Sequence, residues 1–254
     1  MKTTNNTVLI IGGSAGIGLE IAKLFANANN HVIITGRNKQ RLDEAAVLLK
    51  NVTTIVSDFS DEKDADKLVT TIKKDFPGVN ILVNNAAAAK LYSLVDADAN
   101  VYENAAQEMH TNYLSVIRLT EKLLPVLKQH PESAIVNVSS IVALVPGSLA
   151  GYSASKAALH SYTQALRFEL YQEYPSIKVF ELMPPLVNTE FSKPIGGEKG
   201  VSPAFVAEAL LESLEKNIYE IHVGNTKNIY DLLRVSPEKA FEAMHPVTDP
   251  VLLN

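Results

Sequence analysis

A chain of 254 residues, with 46% hydrophobic and 20% charged residues, has the size and composition of a soluble globular protein with a sizeable core. Its formal net charge of −5 gives no electrostatic basis for binding nucleic acid or an anionic membrane surface. Cysteine is absent, which excludes disulfides and thiolate metal ligands, and the six histidines are scattered without metal-ligand spacing. The first apolar run meets Gly12 too early to be a signal peptide or a membrane span. We therefore expect a cytoplasmic protein that binds no nucleic acid, no membrane and no metal.

The first predicted strand, residues 8–11, is followed by a glycine-rich loop and then by apolar residues at helical spacing. In this context glycines let the backbone approach a pyrophosphate closely, and the helix N-terminus offers free N–H groups. The candidate cofactor contacts in the loop are Gly12, Ser14, Gly16, Ile17 and Gly18. The alternative is a tight strand-to-helix turn that binds no ligand.

The second predicted strand, residues 31–35, ends at Gly36 and is followed by Arg37. An NAD-selective site usually has an acidic residue near this strand end, where it holds the ribose hydroxyls. A guanidinium at this point fits a 2′-phosphate instead, so the sequence favours NADP over NAD. The alternative is that Arg37 is a solvated charge that leads into a helix over residues 39–50.

Polar and small residues follow the next two predicted strands, residues 53–57 and 80–83. Asp58 lies where a doubly wound sheet presents its ligand crevice, and it could bind an adenine amino group or simply cap a turn. Ser60 is predicted to be the N-cap of the next helix. Asn85 and Ala86 are candidate cofactor contacts: small side chains here leave room beside the cofactor, and the asparagines are expected to tie the loop backbone together.

The rest of the chain continues the alternation of strands and helices. The further predicted elements are helices at residues 102–128 and 202–217 and strands at 134–138, 177–182 and 219–223. No linker or repeat interrupts them, which predicts one domain over residues 1–254 with a helical tail at 226–254. The expected fold is α/β, a doubly wound Rossmann-type sheet of seven mostly parallel strands with helices on both faces.

Tyr152 and Lys156 open another helical run and, four residues apart, lie on one helical face. A phenol with its ordinary pKa of about 10 is a slow proton donor at neutral pH. A cation one turn away favours the phenolate and is expected to lower that pKa. Such a pair could give a proton to a carbonyl oxygen or take one from an alcohol. Tyrosine and lysine at this spacing also often share a solvated helix face, so the surroundings decide between these interpretations.

Taken in order, these features resemble the short-chain dehydrogenase/reductase family over roughly residues 7–224. The matching positions are Gly12, Gly16, Gly18, Asp58, Asn84, Asn85, Ala86, Asn112, Ser140, Tyr152, Lys156 and the segment 184–189. Within that family, residues 142–147 and 233–237 are similar to bacterial DltE-type oxidoreductases.

The resemblance implies a catalytic tetrad of Asn112, Ser140, Tyr152 and Lys156. Tyr152 would be the general acid/base, and Lys156 would lower its pKa and hold the nicotinamide ribose. The Ser140 hydroxyl would bind the substrate oxygen, and Asn112 would anchor a water that links Lys156 to solvent. The remaining cofactor contacts implied by the resemblance are Pro184, Val187 and Thr189.

The implied activity is hydride transfer between NADP(H) and a carbonyl compound or alcohol, in a homodimer or homotetramer. A nucleotide-binding regulator without chemistry would be expected to have lost part of the tetrad, and all four members are present. An isomerase or epimerase is a third alternative. It is disfavoured because relatives that act on nucleotide sugars usually carry a larger C-terminal substrate region than the predicted tail at 226–254. Tyr92, Leu144, Leu149 and Phe191 are expected to border an apolar substrate crevice, with ordinary loop packing as the alternative.

Overall fold

The computed structural model describes residues 1–245, in which helices alternate with the strands of one sheet. The strands are β1 (Thr7–Ile11), β2 (His31–Gly36), β3 (Val52–Val56), β4 (Val79–Asn84), β5 (Ser133–Val138), β6 (Ile177–Met183) and β7 (Glu220–His222). The helices are α1 (Gly16–Asn27), α2 (Lys39–Val47), α3 (Glu62–Asp75), α4 (Val101–Met109), α5 (Ser115–Leu127), α6 (Ala150–Glu173), α7 (Pro203–Lys216), α8 (Asn225–Val235) and α9 (Pro237–Met244).

All seven strands pair in parallel, in the order β3-β2-β1-β4-β5-β6-β7. The chain order reverses between β1 and β4, and in such a sheet the ligand crevice opens beyond the carboxyl ends of the strands at this switch point. The predicted doubly wound, seven-stranded fold is confirmed, and its sheet is parallel throughout rather than mostly parallel.

The central strands are apolar on both faces because each face is covered by helices. Along β1, Val8 and Ile10 point into one core, which α1 and α7 complete with Phe25 and Leu210. Leu9 and Ile11 point into the opposite core, which α3, α5 and α6 complete. Successive residues of β1 thus enter opposite cores, as expected for a strand with helices on both faces. The glycine loop that follows β1 emerges at the switch point.

The caps of two helices differ in how well the sequence predicted them. The predicted helix at residues 202–217 corresponds to α7 with Ser202 as its N-cap, whose hydroxyl accepts from the Phe205 N–H at 3.2 Å. The prediction that Ser60 caps α3 is wrong, because Asp61 is the N-cap and its carboxylate accepts from the Asp64 N–H at 2.9 Å. Ser60 instead donates its own N–H and hydroxyl to the Asp58 carboxylate, at 2.9 and 2.6 Å. A charged acceptor engages the serine more strongly than a helix terminus would.

The predicted helical tail consists of α8 and α9 as far as it is described, and residues 246–254 lie outside the described residues. Ile229 of α8 and Ala240 of α9 pack against Ile141 and Val145, which follow β5. The two helices therefore support the segment between β5 and α6. No helix within residues 1–245 combines the length and hydropathy that a membrane crossing requires.

Candidate active site

A cavity of about 1210 Å³ opens at the carboxyl ends of the central strands. The predicted site residues that line it are Gly12, Ser14, Gly16, Ile17, Arg37, Asp58, Asn85, Ala86, Tyr152, Lys156, Pro184 and Thr189. Gly18, Asn112, Ser140 and Val187 lie outside the lining. The cavity thus joins the glycine loop to the Tyr152–Lys156 pair.

The first turn of α1 faces the cavity with its backbone N–H groups open. Ala15 precedes the helix, and no side chain in the described chain caps this end. Gly12 and Gly16 have φ angles of +78° and +55°, which a residue with a Cβ rarely adopts. A free helix N-terminus with glycine backbone before it is a site for an anion such as a pyrophosphate.

Gly18 shapes the loop from behind the cavity. A Cβ at Gly18 would lie 2.2 Å from the Gly12 carbonyl oxygen and 2.6 Å from Asn85 Nδ2. Asn85 Nδ2 in turn donates to the Gly12 carbonyl oxygen at 2.9 Å, and the Ala86 N–H donates to the Ile11 carbonyl oxygen at 2.9 Å. These bonds hold the loop after β4 against the glycine loop.

Two arginines line the far end of the cavity. The Arg37 side chain is 78% exposed, and its guanidinium lies 3.7 Å from Asp58 Oδ2, a loose surface pair that leaves its donors available. Arg41, which the sequence reasoning missed, also lines the cavity from the first turn of α2. The sequence indicated Arg41 only by the presence of a second arginine in the helical turn after β2. Asp58 faces the cavity as well, while its carboxylate holds the turn at Ser60.

Tyr152 and Lys156 lie on the first two turns of α6, at the other end of the cavity. Lys156 is 2% exposed, and its ammonium donates to the Val138 carbonyl oxygen at 2.7 Å. This ammonium lies 5.5 Å from the centroid of the Tyr152 ring. The Phe191 ring lies 5.9 Å from the same ring and lines the cavity beside it. Lys156 is therefore buried and Tyr152 half-buried, and both line the cavity, unlike residues on a solvated helix face.

Burial controls the acidity of both groups. It raises the pKa of the Tyr152 phenol well above its ordinary value, against the lowering effect of a hydrogen bond with the Ser140 hydroxyl, and the Glu108 carboxylate raises this pKa further. Burial lowers the pKa of Lys156 to about 8, while the Glu181 carboxylate opposes this change. The expectation that Lys156 lowers the pKa of Tyr152 is wrong in this structure, because desolvation of the phenol dominates and the ammonium is directed at Val138.

Asn112 lies in a five-residue π-helical turn, His110–Leu114, between α4 and α5. Such turns are frequent at functional sites. Its side chain is fully buried and accepts from the Ala88 N–H at 2.7 Å while it donates to the Ala88 carbonyl oxygen at 2.8 Å. Its Nδ2 also donates to Ser155 Oγ at 2.9 Å. Asn112 therefore joins the loop after β4 to α6, and its role as a water anchor stays a prediction.

Glu108, one turn before Asn112, is a site neighbour that the sequence reasoning missed. It is 1% exposed and accepts from the Lys90 N–H at 2.8 Å and from the Tyr92 hydroxyl at 3.0 Å. A Cβ on Gly151 would lie 2.2 Å from Glu108 Oε2, so the carboxylate reaches the start of α6. The sequence indicated Glu108 only by its position four residues before Asn112, which places the two side chains on one helical face. Glu108 of α4 and Asn112 of the π-helical turn together hold the loop after β4.

The residues expected to border the substrate crevice divide into two groups. Phe191 lines the cavity, whereas Tyr92, Leu144 and Leu149 do not. Tyr92 binds Glu108, and Leu144 packs near α8 and α9. Ser139, directly after β5, also lines the cavity. Its buried hydroxyl has no hydrogen-bond partner among the described residues.

Histidine and acidic side chains do not gather into a metal site in the described part of the chain. Within residues 1–245, no group of three or more of them is arranged to hold an ion. His160 does not line the cavity and lies 2.9 Å, Nδ1 to Oε2, from Glu181.

Comparisons with known proteins agree with this geometry. A family model described as short chain dehydrogenase matches residues 6–200. An oxidoreductase of Bacillus subtilis (strain 168), named as the uncharacterized oxidoreductase DltE, is 35% identical over 251 residues, which are 96% of this chain and 98% of the relative.

Two solved structures share the fold. A short chain dehydrogenase from Burkholderia cenocepacia J2315 in complex with NADP has a TM-score of 0.84 at 23% identity, and the match covers 96% of this chain and 99% of that one. A short chain dehydrogenase/reductase from Burkholderia phymatum in complex with NAD has a TM-score of 0.84 at 20% identity, and the match covers both chains fully. With the family match and the relative from Bacillus, they show that the chain belongs to the short-chain dehydrogenase/reductase family and is an oxidoreductase of the DltE type.

Proposed function

We propose that the protein transfers a hydride between NADP(H) and a carbonyl compound or the corresponding secondary alcohol. The observation that carries this proposal is that one cavity joins an open helix N-terminus and two arginines to the Tyr152–Lys156 pair. An anionic dinucleotide fits the first end, and proton transfer to an oxygen fits the second. Membership of an oxidoreductase family supports the same reaction class.

The residues of the cavity fit a nicotinamide dinucleotide. The N-terminus of α1, with Gly12, Ser14, Gly16 and Ile17 beside it, would hold the pyrophosphate. Asp58 and Asn85 would border the adenosine half, while Pro184, Val187 and Thr189 would support the nicotinamide half. When bound, the cofactor supplies or accepts the hydride.

The preference for NADP over NAD rests on the end of β2. Gly36 stands at the strand end where an NAD site has a carboxylate, and Arg37 and Arg41 supply hydrogen-bond donors for a 2′-phosphate. The two solved relatives were bound to NADP and to NAD, one each, so the preference is argued from this chain's own arginines.

The chemical roles fall to four residues. Tyr152 donates a proton to the substrate oxygen during reduction and accepts one during oxidation, and its raised pKa keeps it protonated for donation. The Ser140 hydroxyl binds the same oxygen. The Lys156 ammonium, which donates to the Val138 carbonyl oxygen, has further N–H donors with which it binds the ribose hydroxyls. Asn112 holds α6 and the neighbouring loop in place and serves as the anchor of a water beyond Lys156.

The experiment that tests this function is a spectroscopic assay of NADPH and NADH oxidation with a panel of ketones and aldehydes. We expect NADPH oxidation with at least one carbonyl compound and a lower Kd for NADPH than for NADH. A protein that binds NADPH but reduces nothing in the panel contradicts the proposed reaction. A protein that binds NADH as tightly as NADPH contradicts the proposed role of Arg37.

We also propose that the chain acts as one cytoplasmic domain in a homodimer or homotetramer. Supporting this, Phe168 and Tyr171 of α6 are 63% and 76% exposed, and Leu114 before α5 is 49% exposed. Large apolar side chains in this arrangement gain from being covered by a second subunit. Light scattering coupled to gel filtration measures the mass, and a monomer of 27.6 kDa contradicts this proposal.

A further inference from the structure

A row of polar residues crosses the sheet under the catalytic helix. Asn84, Asn137, Glu181 and Glu220 are paired in register on β4, β5, β6 and β7. The interior of a parallel sheet is normally filled by aliphatic side chains, so each of these residues needs a partner. Asn84 Nδ2 donates to Asn137 Oδ1 at 2.8 Å, and Asn137 Nδ2 donates to Thr163 Oγ1 of α6 at 2.9 Å.

Glu181 is the one member of this row that is an acid with no exposure to solvent. Its Oε2 lies 2.9 Å from Nδ1 of His160 on α6. Its Oε1 is buried and has no hydrogen-bond partner within the described residues. A half-satisfied buried carboxylate is costly unless a positive charge lies near it.

Lys156 supplies such a charge from the same helix. It lies four residues before His160, so the two side chains are neighbours on one face of α6. The Lys156 ammonium can donate three hydrogen bonds, and within residues 1–245 it has one partner, the Val138 carbonyl oxygen. Val138 follows Asn137, the register partner of Glu181. The two half-satisfied buried charges therefore both meet α6: the helix carries Lys156 itself, and it contacts Glu181 through His160, one turn further on.

We propose that Glu181 is a positioning residue for the reaction proposed above: a buried counter-charge that keeps the Lys156 ammonium protonated, with His160 orienting its carboxylate. The inference rests on the proposed function for its purpose. An opposite charge within a few ångströms stabilises the ionised form of a buried group. The Glu181 carboxylate also opposes the effect of burial on the pKa of Lys156.

The other ionisable groups around Glu181 add no net charge. Arg167 and Glu220 form a pair at 3.0 Å and offset each other's charge. His222 stacks on Tyr230 with ring centroids 4.1 Å apart, and burial lowers the pKa of His222 so that it is neutral at neutral pH. On the catalytic side, the buried Tyr152 phenol is also neutral.

His160 makes the counter-charge depend on pH. Its hydrogen bond to Glu181 raises the pKa of His160 above the ordinary 6.5. Below that pKa the His160–Glu181 pair has no net charge, and above it the pair carries −1. The full field of Glu181 therefore acts on Lys156 at alkaline pH, where a buried lysine would otherwise lose its proton.

The test is a titration of Lys156 by NMR of protein labelled with ¹³C at the lysine ε-carbon, with the signal assigned by its loss in Lys156→Arg. We expect Glu181→Gln to lower the pKa of Lys156 by about one pH unit. His160→Gln keeps the carboxylate and is expected to leave this pKa nearly unchanged, as is Glu220→Gln, the matched control on the neighbouring strand. Glu181→Met, which also removes the charge, replaces Glu181→Gln if that variant fails to fold.

A Glu181→Gln protein in which Lys156 titrates as in the wild type overturns the proposal. Equal lowering by Glu181→Gln and His160→Gln also overturns it, because that result indicates repacking rather than lost charge. The alkaline limb of kcat should move to lower pH in Glu181→Gln and should not move in Glu220→Gln. The titration needs no turnover, so a wild-type protein that reduces no carbonyl rejects the proposed function while the NMR result still judges Glu181.

Discussion

The two ends of the cavity are built by different means. At the cofactor end, the loop between β1 and α1 takes its shape from glycines at Gly12, Gly16 and Gly18 and from backbone contacts. At the substrate end, the loop after β4 is held by side chains of α4 and the π-helical turn, 18 residues away for Glu108 and 24 residues away for Asn112. The first end is fixed by local chain geometry, and the second depends on distant polar contacts.

This difference predicts separable damage. Changes in the glycine loop should alter NADPH affinity and the stability of the fold together, since this loop is continuous with the central strand β1, whereas changes at the exposed Arg37 should alter NADPH affinity alone. Changes at the substrate end should alter substrate handling and leave cofactor affinity largely intact. Three substitutions test this separation.

The largest effect is expected for Gly18→Ala. The new Cβ would lie 2.2 Å from the Gly12 carbonyl oxygen, a backbone atom that cannot move without displacing the loop. We expect a loss of about 3 kcal/mol in the free energy of unfolding and a loss of NADPH binding. Denaturant unfolding with and without NADPH measures both.

Gly78→Ala is the matched control, because its Cβ would meet only Thr7 Oγ1, at an ordinary 3.5 Å. A Gly18→Ala protein that is as stable as Gly78→Ala and binds NADPH normally would show that the glycine loop tolerates a Cβ here.

An intermediate effect is expected for Arg37→Ala. An ionic hydrogen bond to a 2′-phosphate is lost, and because the side chain is exposed we expect the lower end of the usual range, about 1.4 kcal/mol or roughly tenfold in the Kd of NADPH. The Kd of NADH should not change. Lys39→Ala is the control, since Lys39 pairs with Asp43 and does not line the cavity. Equal weakening of NADPH and NADH binding would show that Arg37 does not bind the 2′-phosphate.

The smallest effect is expected for Glu108→Gln. The amide keeps one oxygen, which can accept from the Lys90 N–H, but it loses the charge and places an NH2 donor where the other oxygen accepts from Tyr92, so the loop after β4 is held more weakly. We expect KM for the carbonyl substrate to rise about threefold while the Kd of NADPH stays the same. Glu103→Gln, at an exposed position on the same helix, is the control. A change in NADPH affinity without a change in KM would show that the two ends of the cavity do not respond independently to substitution.

The sequence predicted the features that depend on neighbours in the chain. Apolar runs such as residues 8–11 and 134–138 indicated the strands, and glycine spacing indicated the loop at the switch point. Features that depend on tertiary contacts were missed: the inward carboxylates of Glu108 and Glu181 lie on segments whose partners are far along the chain.

The acidity of Tyr152 shows the same limit. The spacing of four from Lys156 predicted a lowered pKa, because a charge pair on one helix face is a local property. The opposite direction follows from burial, which depends on how the elements around α6 close over the phenol. A spacing in sequence therefore identified the pair of residues but not the solvent environment that sets their chemistry.

Tyr152→Phe tests the central claim most directly. The substitution removes one hydroxyl at the catalytic end and leaves the glycine loop and Arg37 unchanged. We predict that the variant binds NADPH with a Kd close to that of the wild type and loses turnover of every carbonyl that the wild type reduces, by at least about a hundredfold. A Tyr152→Phe protein that still reduces those carbonyls at a rate near that of the wild type would contradict the account.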